Sequence, residues 1–175
     1  NNSTIKIALI GAGKMGISHL AILGAHNDVE VVGVCDTSLI VMGALKKYTK
    51  FPCYKKFSKM LDKEKPDAVF VAVPTKFHYE MIKEFLERKI NVFAEKPFCL
   101  NPDQAEELVS LAHKNNLINQ VGYHNEFIGT FQEVKRILDS GALGSIQHFT
   151  GEAYGPVVTK KKEGTWRSNP EEGGG

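Results

Sequence analysis

Ile5-Lys6-Ile7-Ala8-Leu9-Ile10-Gly11-Ala12-Gly13-Lys14-Met15-Gly16 is the stretch from which the rest of the chain is read. Ile5, Ile7, Ala8, Leu9 and Ile10 form a short, nearly continuous apolar run, the pattern of a strand buried on both faces of a parallel sheet. Gly11, Gly13 and Gly16 then match G-x-G-x-x-G, and apolar residues at helical spacing follow, with Met15, Ile17, Leu20, Ile22 and Leu23 among them. Gly11 permits a tight turn, Gly13 lets the backbone approach a pyrophosphate, and Gly16 lets the helix pack closely on the strand. The N–H groups at the start of that helix, together with its dipole, favour a bound anion. Ala12, Lys14 and Met15 lie within the same candidate phosphate-binding turn.

Glycine-rich turns are common, so the context decides. A second strand, Val29-Glu30-Val31-Val32-Gly33-Val34-Cys35, ends at Asp36. That places an acid about twenty residues beyond the motif, where a carboxylate is expected to hold ribose hydroxyls. Asp36 accepts from both hydroxyls and repels a 2′-phosphate, and Thr37 rather than Arg follows it, so the pair favours NAD over NADP. Lys46 or Lys47 swinging toward this end would serve NADP instead.

Lys and Arg total 22 against 20 Asp and Glu in 175 residues, and the net charge of +2 carries no electrostatic footprint for nucleic acid or an acidic membrane. Three cysteines, Cys35, Cys53 and Cys99, are an odd number without paired spacing. They point to a reducing, cytoplasmic compartment rather than a disulfide framework. No apolar run reaches transmembrane length, and Asn1-Asn2-Ser3-Thr4 has no signal-peptide pattern. The six histidines (His19, His26, His78, His113, His124 and His148) never fall at metal-ligand spacing with Cys or one another, so no metal is expected.

Beyond Asp36 the pattern predicts a helix over Leu39 to Tyr48, with a capping hydroxyl in Thr37-Ser38, and a short strand near Phe51 to Tyr54. A small helix follows at Phe57, Met60 and Leu61, then a buried strand from Ala68 to Val73 that stops at Pro74. His78 to Arg88 reads as a helix, Asn91 to Ala94 as a strand, and Asn101-Pro102 as the cap and first turn of a helix running to about Asn115. Leu117 to Val121 is the next strand. Alternation of this kind argues for a doubly wound α/β fold with a parallel sheet, in which ligands bind outside the carboxyl ends of the strands. Special residues stand at every such end: Gly11, Asp36, Pro74-Thr75, Glu95-Lys96 and Gly122-Tyr123-His124-Asn125. After Asn125 the pattern changes. One amphipathic helix carries Phe131, Val134, Ile137 and Leu138, and alternation from Ser145 to Tyr154 predicts a strand. These open a second, α+β unit, dividing the chain into residues 1–123 and 124–175.

At Glu95-Lys96-Pro97, taken with the N-terminal fingerprint, the chain resembles the glucose–fructose oxidoreductase / inositol dehydrogenase / rhizopine-catabolism (Gfo/Idh/MocA) family. The further marks are V-C-D-T-S, the P-T-K-F-H-Y segment from Pro74 to Tyr79, Val121-Gly122-Tyr123-His124-Asn125, Gly141-Ala142-Leu143-Gly144, and Thr165-Trp166-Arg167 before a glycine run. The resemblance implies a Rossmann dinucleotide-binding domain followed by a substrate and oligomerisation domain. It implies an NAD(P)-dependent oxidoreductase acting on a hydroxyl carbon of a sugar, inositol, polyol or sugar derivative. It also implies that Lys96 lies between nicotinamide and substrate, and that Pro97 follows a cis peptide. Pro74, Thr75, His78, Glu95 and Asn125 would line the cofactor cleft, with Trp166 and Arg167 reaching over the nicotinamide or substrate. The family's glycine run leads into a helix with an Asp and, a few residues on, a His that acts as acid/base, whereas this sequence stops at Gly175. Either these residues are the N-terminal portion of a longer protein, which is the expectation, or the protein lacks that half.

Chemically, a Lys in a partly desolvated cleft hydrogen-bonds the substrate oxygen and steadies its developing charge as hydride leaves, and desolvation lowers its pKa. The bland alternative for Lys96 is a surface residue paired with Glu95. His19 reads as a packed, hydrogen-bonded residue, His78 either touches cofactor or caps its helix, the role of His124 on the rim stays open, and Cys35 belongs to the core. Two rival functions use the same fold: a non-enzymatic nucleotide-sensing regulator, and an NAD-recycling glycosidase or lyase.

Overall fold

The computed structural model describes residues 4–152 and Tyr154. Its elements run β1 (Ile5–Ile10), α1 (Lys14–Gly24), β2 (Val29–Cys35), α2 (Leu39–Tyr48), β3 (Cys53–Tyr54) and α3 (Phe57–Glu64), then β4 (Ala68–Val71) and α4 (His78–Glu87). They continue with β5 (Asn91–Ala94), α5 (Pro102–Lys114), β6 (Asn119–Val121) and α6 (Gly129–Asp139), with short 3-10 turns at Thr75–Phe77 and His124–Phe127. Every strand pairing is parallel and the sheet order is β3-β2-β1-β4-β5-β6, the doubly wound Rossmann arrangement whose order reverses beside β1.

Local chemistry sets the element ends. The Ser38 hydroxyl accepts from the Val41 N–H at the start of α2, and Asn101 Oδ1 accepts from the Asp103 N–H with Pro102 opening α5. Behind α3, α4 and α5 the chain turns through Lys65, Lys89 and Asn116, all at positive φ.

Side chains alternate across β1, so Ala8 and Ile10 face one layer and Ile7 and Leu9 the other. On the first face Val69, Val71, Val92 and Ala94 pack against Met60, Ile82, Phe85, Leu86, Leu108 and Ala112 of α3, α4 and α5. On the second, Leu20 and Leu23 of α1 and Met42 and Leu45 of α2 cover Ile7, Leu9, Val31 and Val34. Among the described residues α1 and α2 cover that second face chiefly over β1 and β2, with Ala68 and Phe70 of β4 at the margin of the cluster.

Two strands are shorter than their apolar runs. β4 ends at Val71, although the Ala72 N–H still donates to the Ile10 carbonyl, because Pro74 has no N–H to carry the ladder on. β6 begins at Asn119 rather than Leu117. The strand expected over Ser145 to Tyr154 does not form among its described residues, which are exposed there. Alternation alone leaves a strand's N–H and C=O groups unpaired, and no strand pairing reaches the described residues of this segment. Helix α6 does form, but its Phe131 and Val134 stand exposed and it packs chiefly on the 124–127 turn before it.

The glycine turn is sterically committed. Gly11 has φ +90°, and a Cβ on Gly16 would lie 1.9 Å from the Gly11 carbonyl oxygen, whereas a Cβ on Gly43 in α2 would meet nothing within 4 Å. Gly16→Ala is therefore expected to lower the unfolding free energy by about 1–3 kcal/mol or more through overpacking. Gly43→Ala should raise it by about 0.5–1 kcal/mol. Urea denaturation of the two variants checks the contrast, and equal effects would contradict it.

Candidate functional site

Where no helix of the described residues covers the second face, above β5 and β6 and the edge of β4, a cleft of about 870 Å³ opens at the carboxyl ends of the strands. Phe70, Phe93 and Gln120 occupy one cross-strand row of that face. Phe70 and Phe93 stack with centroids 4.6 Å apart. The His19 ring, reaching over from α1, meets both of them edge-on. Tyr123, His124 and Phe127 close the side beyond β6.

Of the residues anticipated from the sequence, Gly13, Lys14, Met15, Pro74, Thr75, Glu95 and Lys96 line this one cleft. Gly11, Ala12 and Gly16 are buried just behind it and form the turn itself. Asp36 sits at the end of β2 and ties down that turn: its Oδ2 accepts from the Ala12 N–H at 2.6 Å and its Oδ1 from the Ser38 N–H at 2.7 Å. Thr37 is exposed beside it, outside the lining of the cleft. The peptide before Pro97 is cis. Trp166 and Arg167 lie outside the described residues.

Three expectations need correcting. His78 neither faces the cleft nor caps its helix with its side chain: it is fully buried, with Nδ1 3.1 Å from the Phe98 carbonyl and Nε2 3.0 Å from the Val73 carbonyl. It thereby joins the loop after β4 to the loop that carries Lys96. Asn125 is exposed in the 124–127 turn and does not line the cleft, because a 3-10 turn sends neighbouring side chains in different directions and His124 and Phe127 take the inward places. Lys96 is exposed at the rim rather than desolvated. Nor does it pair with Glu95, whose Oε1 is held instead by His19 Nε2 at 2.7 Å. His19 is hydrogen-bonded as expected, but it lies in the cleft wall. Phe93 and Gln120 were not anticipated. Strand periodicity offered a signal for Phe93, since it stands two residues before Glu95 and so shares its face.

The arrangement fits a dinucleotide. No atom lies within 4 Å of where a Cβ on Gly13 would sit, so the space before the turn is open to a ligand. Helix α1 starts there with neither a side-chain cap nor an acidic first turn, leaving its leading N–H groups for an anion. Each Asp36 oxygen keeps a further acceptor site after its one main-chain hydrogen bond, Oδ2 to Ala12 and Oδ1 to Ser38. The cysteines are poor nucleophiles: burial, helped by Asp36, pushes the Cys35 thiol up to about 11, and burial pushes Cys99 up to about 11 as well. Among the described residues no cluster of three His, Cys, Asp or Glu side chains could hold a metal ion, and no helix is long and apolar enough to cross a membrane.

Comparison with known proteins adds four findings. The model of the Gfo/Idh/MocA family, described as an oxidoreductase family with an NAD-binding Rossmann fold, matches residues 5–123. The chain is 34% identical over 154 residues to D-glucoside 3-dehydrogenase of Escherichia coli (strain K12), a match covering 87% of this chain and 44% of that protein. Scyllo-inositol dehydrogenase from Lactobacillus casei, with bound NAD(H) and scyllo-inositol, superposes with a TM-score of 0.76 at 26% identity, over 82% of this chain and 43% of that one. The WlbA dehydrogenase from Bordetella pertussis, in complex with NADH and UDP-GlcNAcA, gives a TM-score of 0.77 at 26% identity, over 82% and 42%. The chain thus spans less than half the length of each of these relatives.

An imidazole with one N–H donates to only one of the Val73 and Phe98 carbonyls and packs its other nitrogen against the second, and His78→Ala removes that donor from the core. A loss of about 1–3 kcal/mol in stability is expected from the carbonyl left unsatisfied and the cavity left by the ring. Guanidinium unfolding measures it, and a change below about 0.5 kcal/mol would contradict the clamp.

Proposed function

Because this chain belongs to the Gfo/Idh/MocA oxidoreductase family, we propose that it forms the nucleotide-binding part of a nicotinamide-dependent dehydrogenase acting on a hydroxyl carbon of a sugar, inositol, polyol or sugar derivative. The observation that carries this reading is that Gly13 and Lys96, 83 residues apart in sequence, line the same cleft at the carboxyl edge of the sheet. The compounds that the names of the similar proteins carry, a glucoside, scyllo-inositol and a sugar nucleotide, share a secondary hydroxyl and support the substrate class.

When bound, the nicotinamide accepts or returns the hydride. The chain's own residues do the rest. The turn from Gly11 to Gly16 receives the pyrophosphate through main-chain N–H groups and the dipole of α1. Asp36 takes the ribose hydroxyls and repels a 2′-phosphate, which favours NAD over NADP. Phe93 and Met15 give the cleft an apolar wall that limits water. The Lys96 ammonium, with no carboxylate partner among the described residues, hydrogen-bonds the substrate oxygen and steadies its charge. Closure of the second domain over the rim would supply the desolvation that Lys96 lacks here. In this reading residues 1–123 bind the dinucleotide, and 124–175 begin the substrate and oligomerisation domain, with α6 as its opening helix. The three cysteines are free, in keeping with a reducing cytoplasm.

Two variants of the whole protein test the proposal. Lys96→Ala should lower kcat by at least about 100-fold with NAD affinity unchanged in calorimetry, and unaltered turnover would remove Lys96 from its role. Asp36→Ala should weaken NAD by about tenfold or more, roughly 1.4 kcal/mol, and NADP by less. An equal loss for both coenzymes would count against the ribose contact.

A further inference from the structure

His19 stands on α1, the helix whose N-terminus faces the phosphate site, and its Nε2 lies 2.7 Å from Glu95 Oε1 across 76 residues of sequence. A carboxylate only accepts, so Nε2 carries the proton in this bond. The other Glu95 oxygen, Oε2, accepts from the Lys96 N–H at 3.3 Å. A line of contacts therefore runs from the nucleotide helix through one imidazole and one carboxylate to the main chain of Lys96.

The niche is built for this pair. The His19 ring lies edge-on to Phe70 and Phe93, with centroids 5.7 and 5.2 Å away. Gly122 borders it from β6's end, where a Cβ would come within 3.2 Å of the Phe93 ring and 3.6 Å of Glu95 Oε1. The two side chains are only 19% and 14% exposed, so their bond is shielded from water far more than a surface ion pair. Among the described residues His19 is the only side chain that engages Glu95. Without it the carboxylate faces an aromatic wall with no donor, and it is free to rotate away from the Lys96 N–H.

We propose that His19 is a positioning residue for Lys96, acting through Glu95; the inference rests on the role given to Lys96 above. By fixing the Glu95 carboxylate, His19 holds the loop after β5 at a set distance from the first turn of α1. The ammonium at the substrate oxygen and the turn that receives the pyrophosphate then keep one relative placement. His19 itself touches no reacting atom.

The test uses the full-length protein with His19→Leu, which keeps apolar packing on the two rings without a donor, and His19→Gln, which restores an N–H. Expected for His19→Leu is a kcat lower by about tenfold or more, a KM for NAD within about threefold of the original, and a displaced Lys96 amide resonance in 15N–1H spectra of the coenzyme-free protein. His19→Gln should recover most of the kcat and return the resonance. Glu95→Gln provides the second arm: it should displace the Lys96 amide on its own, and in a double-mutant cycle it should make His19→Leu nearly silent. A folded Leu variant with full kcat, an unmoved Lys96 amide, equal loss in Leu and Gln, or additive losses in the cycle would each overturn the proposal. If His19→Leu does not fold, the amide shift in Glu95→Gln and the kcat of His19→Gln decide it by the same criteria. Lys96→Ala separates the two readings: with turnover unchanged there, the role of Lys96 falls, whereas a low Lys96→Ala kcat beside a full His19→Leu kcat sinks the positioning role alone.

Discussion

The backbone of Gly11 and the first turn of α1 touch with no room for a single methyl group between them, since a Cβ on Gly16 would lie 1.9 Å from the Gly11 carbonyl oxygen. A Cβ on Gly11 would in turn come within 2.5 Å of the Ala72 carbonyl oxygen at the end of β4. Both contacts drive the turn down between β1 and β4, where the strand order reverses. The helix that follows must then leave with its N-terminus on the carboxyl edge of the sheet. Asp36 latches the same turn from the β2 side through the Ala12 N–H. Three separate strands thus converge on one short piece of backbone, and the geometry of any bound phosphate is set by that convergence.

From this placement the cleft follows. Helices α1 and α2 lie chiefly over β1 and β2, so among the described residues no helix covers the same face of β5 and β6, and Phe93 stands there as a wall. The opposite face is sealed by α3, α4 and α5, with Phe85, Ile82 and Leu108 fully buried. One side of the sheet supplies most of the stabilising apolar burial, and the other half-covered side supplies the site. His78, inside the sealed layer, lies between the Val73 and Phe98 carbonyls, donates to one and packs against the other, and so braces from below the two loops that carry Thr75 and Lys96. His19 spans the open side. Two histidines with no contact to one another support the same loop from opposite faces of the sheet.

The elements were legible because their signals are local. Continuous apolar runs gave β1, β2 and β4, a serine and an asparagine cap marked α2 and α5, and the glycine spacing announced the first turn. Ser145 to Tyr154 shows the limit of that reading: its alternation is genuine, yet a strand exists only when a neighbour receives its N–H and C=O groups, and pairing is not a property of one segment. The histidines show the same limit. His78 falls within the family-like P-T-K-F-H-Y segment, but whether an imidazole faces solvent or two carbonyls depends on the path of a loop twenty residues away.

By itself the sequence determined the order of strands and helices, the glycines that only a close turn explains, and the rim positions at which polar residues gather. These depend on periodicity and on the steric needs of single residues, which travel with the chain. Tertiary structure alone decided which rim residues share the cleft. It gave Glu95 to His19 rather than to Lys96, turned Asn125 outward while Phe127 turned in, and left the Lys96 ammonium exposed. Such pairings are settled by distances across the sheet, between groups as far apart as 76 residues in sequence, and no local pattern encodes which of two nearby donors a half-buried carboxylate will meet.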